Sequence, residues 1–132
     1  MKILCFGDSN TYGYDPRSFF GSQYPAQHRW VDLLAQKLSC KAVNAGENGR
    51  EIPRREGELQ RFDLMLSNQK PMDLLIIMLG TNDIYNYPDL NADNIGDGIS
   101  KLIDMAKESQ WGRDFKAPKI LVMAPIELKR SA

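Results

Sequence analysis

The chain has 132 residues, of which 42% are hydrophobic and 26% are charged, a size and composition that fit one domain with a modest core. Its 17 basic residues balance 17 acidic ones, which argues against binding to nucleic acid or to an anionic membrane. No run approaches the roughly 18 apolar residues of a membrane span, and the first apolar stretch is too short for a signal peptide. We therefore expect one soluble, cytoplasmic domain.

Cysteine and histidine are scarce. Cys5 and Cys40 have no metal-like spacing and no partner cluster, and His28 is the single histidine. We expect two free, small, buried thiols rather than a disulfide. One histidine and two separated cysteines cannot make a transition-metal site of normal type. The sequence therefore predicts no metal and no cofactor.

Short, continuous apolar runs predict four strands that are buried on both faces; they are residues 3–6, 41–45, 74–79 and 120–124. Residues 11–29 mix glycines, prolines and serines with aromatic side chains, a composition typical of a loop. Such a loop can line a substrate pocket or can simply hold itself against the domain, and the composition does not decide between the two.

Three amphipathic helices are predicted between the strands. Their apolar positions are Trp30, Leu33, Leu34 and Leu38; Leu59, Phe62, Met65 and Leu66; and Ile95, Ile99, Leu102, Ile103 and Ala106. The second helix is expected to begin near Pro53, because proline is tolerated in a first helical turn. Residues 89–94 offer several N-cap candidates for the third helix, but Gly96 and Gly98 predict a ragged start.

Strand and helix alternate, which predicts a three-layer α/β/α fold with a parallel sheet and right-handed crossovers. In the flavodoxin-like strand order 2-1-3-4, with the fifth strand missing, ligands bind at the carboxyl ends of strands one and three. Polar segments that follow strands one, two and three would then meet at one edge of the sheet.

Three such segments are present: Gly7-Asp8-Ser9-Asn10-Thr11, Asn44-Ala45-Gly46-Glu47-Asn48-Gly49-Arg50 and Leu79-Gly80-Thr81-Asn82-Asp83. A serine that follows a buried strand, where the backbone turns at a glycine, presents its hydroxyl at the sheet edge, as a nucleophile requires. Each segment alone is also ordinary turn or cap chemistry. Their combination is what indicates a site.

With these segments in this order, the chain resembles the SGNH (GDSL-type) hydrolases. It is similar to the bacterial arylesterase/acyltransferase branch in its framing residues, which are Cys5-Phe6-Gly7-Asp8-Ser9, Arg29-Trp30, Ile76-Ile77-Met78-Leu79-Gly80-Thr81-Asn82-Asp83 and Ala117-Pro118-Lys119-Ile120-Leu121-Val122. The resemblance implies a serine ester hydrolase that acts on small acyl esters. Ser9 would be the nucleophile, and its amide would join Gly49 and Asn82 in the oxyanion hole.

These residue types suit that chemistry, because attack on an ester places negative charge on the carbonyl oxygen, which must meet fixed donors. Gly49 lets the backbone approach the substrate, and Asn82 donates without bringing a charge. Asp83 is expected to brace Asn82 through hydrogen bonds to backbone groups. The neighbouring residues predicted to contact the substrate are Asp8, Asn10, Tyr12, Asn48 and Thr81.

The chain differs from the family in that it lacks the residues that supply the catalytic base. SGNH enzymes carry an Asp-x-x-His block after a fifth strand, and the 132 residues contain none. We therefore interpret residues 1–132 as a single, C-terminally truncated SGNH domain. His28 lies before the first helix rather than in the family's position, so we expect it to be a bystander.

Two functions of different classes remain open: an ester hydrolase or acyltransferase in its complete form, and a non-catalytic binding or assembly protein that kept the fold after losing the base. A flavodoxin or phospho-acceptor domain fits the fold alone, because no Gly-x-Gly-x-x-Gly or Walker loop is present. If the chain stops at Ala132, the unpaired fourth strand also predicts a homo-oligomer that buries the surface around Ile120, Val122 and Ile126.

Overall fold

The computed structural model describes residues 1–18 and 20–125 of the chain. Four strands form one parallel sheet, and they are β1 (Lys2–Gly7), β2 (Lys41–Gly46), β3 (Leu74–Met78) and β4 (Lys119–Val122). The strand order is β2-β1-β3-β4, which confirms the predicted order and the α/β class. Because β1 pairs with both β2 and β3, the carboxyl ends of these three strands lie side by side.

Helices connect the strands. They are α1 (Ser9–Tyr12), α2 (Trp30–Leu38), α3 (Glu56–Asn68), α4 (Thr81–Asn86) and α5 (Ala92–Lys107), with two 3₁₀ turns at Ala26–His28 and Arg113–Phe115. Within the described ranges, no helix combines the length and the apolar character needed to cross a membrane.

Two hydrophobic cores flank the sheet, because successive residues of a strand point to opposite faces. The larger core lies under α3 and α5 and includes Leu4 and Phe6 of β1. There the Phe62 ring meets the Phe6 ring edge-on, with centroids 4.9 Å apart. The smaller core lies under α2 and includes Ile3 and Cys5 of the same strand. Alternation along β1 thus supplies both cores.

Two helical predictions need correction: the packing of α2 and the start of α5. Of the predicted positions of α2, Trp30 and Leu34 pack against the smaller core, whereas Leu33 and Leu38 are 37% and 49% exposed; the buried Val31 joins the core in addition. The start of α5 is capped rather than ragged, because the side chain of Asn91 accepts a hydrogen bond from the Asn94 amide at 2.8 Å. The cap outweighs the two glycines that follow.

Two further corrections concern where helices begin. The loop predicted from Thr11 starts with the short helix α1, which Asp8 caps. The second amphipathic helix begins at Glu56 rather than near Pro53. The Ile52 amide is hydrogen-bonded to the side chain of Asp83, 31 residues away in sequence, so the chain before Glu56 is held by a distant segment instead of entering the helix.

Candidate active site

The first candidate segment is the turn between β1 and α1. A side chain would not fit at Gly7, because a Cβ there would lie 2.1 Å from the Oγ1 atom of Thr11. Oδ1 of Asp8 accepts a hydrogen bond from the Asn10 amide at 2.9 Å and so caps α1. Ser9 is consequently the first residue of α1 and is partly exposed. Its amide lies in a first helical turn, where a helix offers no carbonyl acceptor.

The second segment follows β2, which ends in direct contact with α1. A Cβ at Gly46 would lie 2.2 Å from the Tyr12 nitrogen, so only glycine allows this approach. Nδ2 of Asn44 fixes the same contact by donating to the Thr11 carbonyl at 2.8 Å. Further on, Gly49 is exposed with φ of 78°, and no heavy atom of the described residues lies within 4 Å of the position that its Cβ would take. Open space therefore faces Gly49.

The third segment follows β3. Gly80 turns the chain with φ of 130°, a conformation that side chains rarely adopt, and α4 begins at Thr81. The Nδ2 atom of Asn82 donates to the Arg50 carbonyl at 3.1 Å. This hydrogen bond joins the segment after β3 to the loop after β2, although 32 residues separate them in sequence.

Asp83 braces this segment from beneath. It is fully buried, and its carboxylate accepts from the Ile52 amide at 3.1 and 3.2 Å and forms an ion pair with Arg54. Asp83 accepts a hydrogen bond from a backbone group, as predicted, but the donor is the Ile52 amide, which is distant in sequence, rather than a group beside Asn82. The position of α4 is thereby fixed from below the site.

Arg50 was missed as a functional residue in the sequence. Its Nη1 atom donates to the Gly7 carbonyl at 2.9 Å and also to the Ala45 carbonyl, and its Nη2 atom pairs with Glu47 at 3.1 Å. The guanidinium carbon lies 4.3 Å from the centroid of the Phe6 ring. The sequence does show a basic residue directly after the glycine of the second segment. It does not show the hydrogen-bond acceptors of that residue, because most of them are backbone carbonyls.

The candidate catalytic residues Ser9, Gly49 and Asn82 therefore follow the carboxyl ends of three adjacent strands. Of the predicted contact residues, Asn10, Asn48 and Thr81 lie in the same segments, and Tyr12 follows the first segment at the end of α1. Asp8 differs from them, because its side chain caps α1 and the residue is only 1% exposed. Asp8 has almost no surface with which to touch a substrate.

A cavity of about 700 Å³ opens beside Gly49, between the loop after β2 and α3. Phe6 and Phe62 contribute apolar surface to it, and its charged lining residues are Glu47, Arg50, Glu51, Glu58 and Arg61. Ser9 and Asn82 do not line this cavity. It therefore adjoins the candidate site at Gly49 rather than containing it.

His28 lies in the 3₁₀ turn before α2 and is exposed. Its amide donates to the Pro25 carbonyl at 2.8 Å, which closes that turn. Across residues 1–18 and 20–125, no three or more His, Cys, Asp or Glu side chains are grouped so that they could hold a metal ion.

The carboxyl of Asp8 supports a prediction of pH dependence. Burial raises the pKa of Asp8, while hydrogen bonds from Asn10 act in the opposite direction and the nearby Asp83 charge adds to the rise. When a carboxyl has a higher pKa in the folded state than in the unfolded state, its contribution to the free energy of unfolding is complete below the unfolded pKa. That contribution is lost as pH rises through the folded pKa. We expect Asp8→Asn to keep the cap, since asparagine also caps helices, and to be more stable than the parent at pH 7 but not at pH 3.

Urea unfolding of the two proteins at both pH values measures this difference. Asp63→Asn is the matched control, because Asp63 is exposed on α3, and it should show no such pH-dependent gain. A parent chain more stable than Asp8→Asn at pH 7 would show that the ionised carboxylate of Asp8 stabilises the turn.

Comparison with known proteins finds a family match and solved structures of esterases that are similar to this chain. The model of the GDSL-like lipase/acylhydrolase family matches residues 5–130. An inhibitor-bound aryl esterase from M. smegmatis is 31% identical, with a TM-score of 0.82 over 94% of this chain and 63% of that chain. A carbohydrate acetylesterase family member from Sinorhizobium meliloti is 26% identical, with a TM-score of 0.84 over 99% of this chain and 65% of that chain. A comparison with curated proteins gave no significant match.

The chain spans less than two thirds of the length of these solved structures, 63% and 65% in the two cases above. The family model, in contrast, matches nearly every residue of the chain. The chain belongs to the GDSL-like lipase/acylhydrolase family, that is, to the SGNH hydrolases.

Proposed function

We propose that the chain carries the nucleophile and the oxyanion hole of a serine ester hydrolase of the arylesterase, acetylesterase or acyltransferase type, which acts on small acyl esters. The observation that carries this proposal is the placement of Ser9, Gly49 and Asn82 after three adjacent strands, with Asn82 hydrogen-bonded to the residue that follows Gly49. The esterase relatives support the same reaction class.

In the proposed reaction, the Oγ atom of Ser9 attacks the carbonyl carbon of the ester, and the carbonyl π electrons move onto the oxygen. The developing negative charge meets the amides of Ser9 and Gly49 and the side chain of Asn82. Donors that are fixed before the reaction need no reorganisation as the charge develops. Asn82 can take part because its amide has two N–H groups, and the Arg50 carbonyl engages one of them at most.

Ser9 also needs a base to take its proton. Within the 132 residues the single histidine is His28, in an exposed turn before α2. We propose that the base belongs to an Asp-x-x-His segment outside these residues, as the family resemblance implies, and that His28 does not act in the reaction.

Hydrolysis of p-nitrophenyl acetate by the 132-residue chain tests the oxyanion hole. Without a triad, substrate binding and the oxyanion hole alone still accelerate hydrolysis on the order of 10³- to 10⁴-fold over the reaction in water. We expect Asn82→Ala to lower this residual rate by roughly 100-fold. Asn86→Ala is the matched control, since Asn86 is exposed on the same helix and its side chain donates to the partly exposed Glu51 rather than to Arg50, and it should leave the rate unchanged.

Equal rates for the chain and for Asn82→Ala would contradict the proposed oxyanion hole. A chain with no hydrolysis above buffer, but with measurable binding of an ester, would favour the alternative function, a non-catalytic binding or assembly protein of SGNH ancestry.

We also propose that the protein works in the cytoplasm on small molecules, without nucleic acid or membrane partners. Free thiols support a reducing compartment, and both cysteines are free; Cys5 is buried as predicted, whereas Cys40 is only partly buried. Burial, with a smaller contribution from Cys40, raises the pKa of Cys5 to about 12. The Cys5 thiol therefore stays protonated and unreactive at neutral pH.

For a chain that stops at Ala132, we propose further that copies associate through β4. In the described part of the chain, β4 pairs with β3 alone, and Leu121 and Val122 are 47% and 43% exposed. Ile120 packs against the larger core instead, and Ile126 lies outside the described residues. An apolar strand edge is a surface that commonly pairs with another chain.

Light scattering at high concentration measures this association. We expect an oligomer that Leu121→Lys converts to a monomer, because a lysine at a strand edge opposes pairing. Leu64→Lys, at a 60% exposed position on α3, should leave the oligomer intact. A parent chain that is monomeric at high concentration would contradict the proposed interface.

A further inference from the structure

The side chain of Arg50 joins the ends of two strands. Its Nη1 atom donates to the carbonyls of Gly7 and Ala45, which lie at the carboxyl ends of β1 and β2. Its Nη2 atom pairs with Glu47 in the loop that leads to Gly49. One guanidinium thus fixes the strand that delivers Ser9 to the loop that carries Gly49.

The backbone of Arg50 makes a second connection. Its carbonyl accepts the hydrogen bond from Nδ2 of Asn82 at 3.1 Å, and its amide donates to the Glu47 carbonyl at 3.2 Å, which closes the turn around Gly49. Two of the three proposed oxyanion-hole donors, the amide of Gly49 and the side chain of Asn82, therefore depend on where residue 50 lies. A displacement of Arg50 would move both together.

The guanidinium is also largely enclosed. The side chain of Arg50 is 16% exposed and stacks over the Phe6 ring. Burying a cation costs free energy unless its donors find partners, and here two carbonyls and Glu47 engage three of the five N–H groups. A planar fork with several donors can reach two carbonyls and a carboxylate at once, whereas the compact ammonium of lysine cannot. This geometry is specific to arginine.

We propose that Arg50 is a positioning residue of the oxyanion hole, an inference that rests on the proposed function of Gly49 and Asn82. Its guanidinium holds the loop after β2 against the end of β1, and its carbonyl orients the Asn82 amide toward the same point. Arg50 does not touch the ester. It acts by keeping two donors in register with Ser9.

The test is rescue of Arg50→Ala in the 132-residue chain. The side chain of Arg50 lines the cavity beside Gly49, so added ethylguanidinium can enter the space that the truncated side chain leaves. The first readout is the side-chain amide signal of Asn82 in ¹H–¹⁵N NMR spectra. We expect Arg50→Ala to shift this signal, ethylguanidinium to return it and ethylammonium to leave it shifted. Arg113→Ala is the matched control, because that arginine pairs with Asp73 before β3, at the opposite edge of the sheet.

The second readout is the residual hydrolysis of p-nitrophenyl acetate. We expect Arg50→Ala to lower kcat by roughly 10- to 100-fold with little change in KM, because donors displaced by about 1 Å lose this much. Ethylguanidinium should restore the rate, and Arg50→Lys should not. A chain that never hydrolyses the ester would remove the proposed function, and the Asn82 signal would still decide the positioning.

An Asn82 signal that is the same with and without the Arg50 side chain would overturn the inference. So would a shifted signal that ethylguanidinium fails to return, or that ethylammonium returns equally well. Loss of folding in both Arg50→Ala and Arg50→Lys would make Arg50 a stability residue and would also overturn it.

Discussion

Replacing Gly46 by alanine should lower the free energy of unfolding by about 3 kcal/mol, the upper range for forcing an extra methyl group into a packed site. The added Cβ would lie 2.2 Å from the nitrogen and 2.7 Å from the Cα of Tyr12. Both are backbone atoms, so the clash cannot be relieved by a side-chain rotation. Either α1 must move away from β2 or β2 must shift in the sheet.

Urea unfolding measures this loss, with Gly96→Ala as the matched control. Gly96 is exposed in α5. Apart from the neighbouring backbone of the helix itself, no heavy atom of the described residues lies within 4 Å of the position that a Cβ would take. That substitution should instead raise the free energy of unfolding by about 0.5 to 1 kcal/mol, since alanine favours a helix interior. Equal stabilities for Gly46→Ala and the parent would show that α1 does not rest on β2 in solution.

The sheet could be predicted because each strand is a short apolar run that needs no distant partner to be recognised. The 74–79 run predicted the central strand, which the structure has as Leu74–Met78. Parallel strands connected by helices then leave few possible orders. The strand order followed from local pattern and general topology together.

The helix starts that were missed depend on single side chains. The four residues of α1 are too few to show a helical period, and their start is decided by the Asp8 cap. The delayed start of α3 depends on Asp83, which holds the Ile52 amide from across the fold. No pattern within residues 49–56 predicts the hydrogen bond between Ile52 and Asp83.

Some residues of the candidate site could likewise be recognised from the sequence, and others could not. Ser9, Gly49 and Asn82 could be named because they follow predicted strands in a recognisable order, and their roles remain predictions. Arg50 could not be assigned a role, because its position between strand ends becomes visible only in three dimensions. The burial of Asp8 was missed because sequence does not tell a cap that faces the core from one that faces solvent.

Extending the chain past Ala132 with a segment that carries the family's Asp-x-x-His block should raise ester hydrolysis by about 10³-fold or more. The block supplies the base that accepts the Ser9 proton, and the 132 residues have none in that position. The gain should depend entirely on Ser9, because members of a serine triad act as a unit. His28→Ala should change neither the residual rate nor the restored one.

The most direct test of Ser9 as the nucleophile is the hydrolysis of p-nitrophenyl acetate by four proteins: the 132-residue chain, its His28→Ala variant, the extended chain, and the extended chain with Ser9→Ala. We predict equal residual rates for the first two, a rate higher by orders of magnitude for the third, and a return to the residual rate for the fourth. Full activity in the 132-residue chain that disappears with His28→Ala, or an extended chain indifferent to Ser9→Ala, would contradict the account.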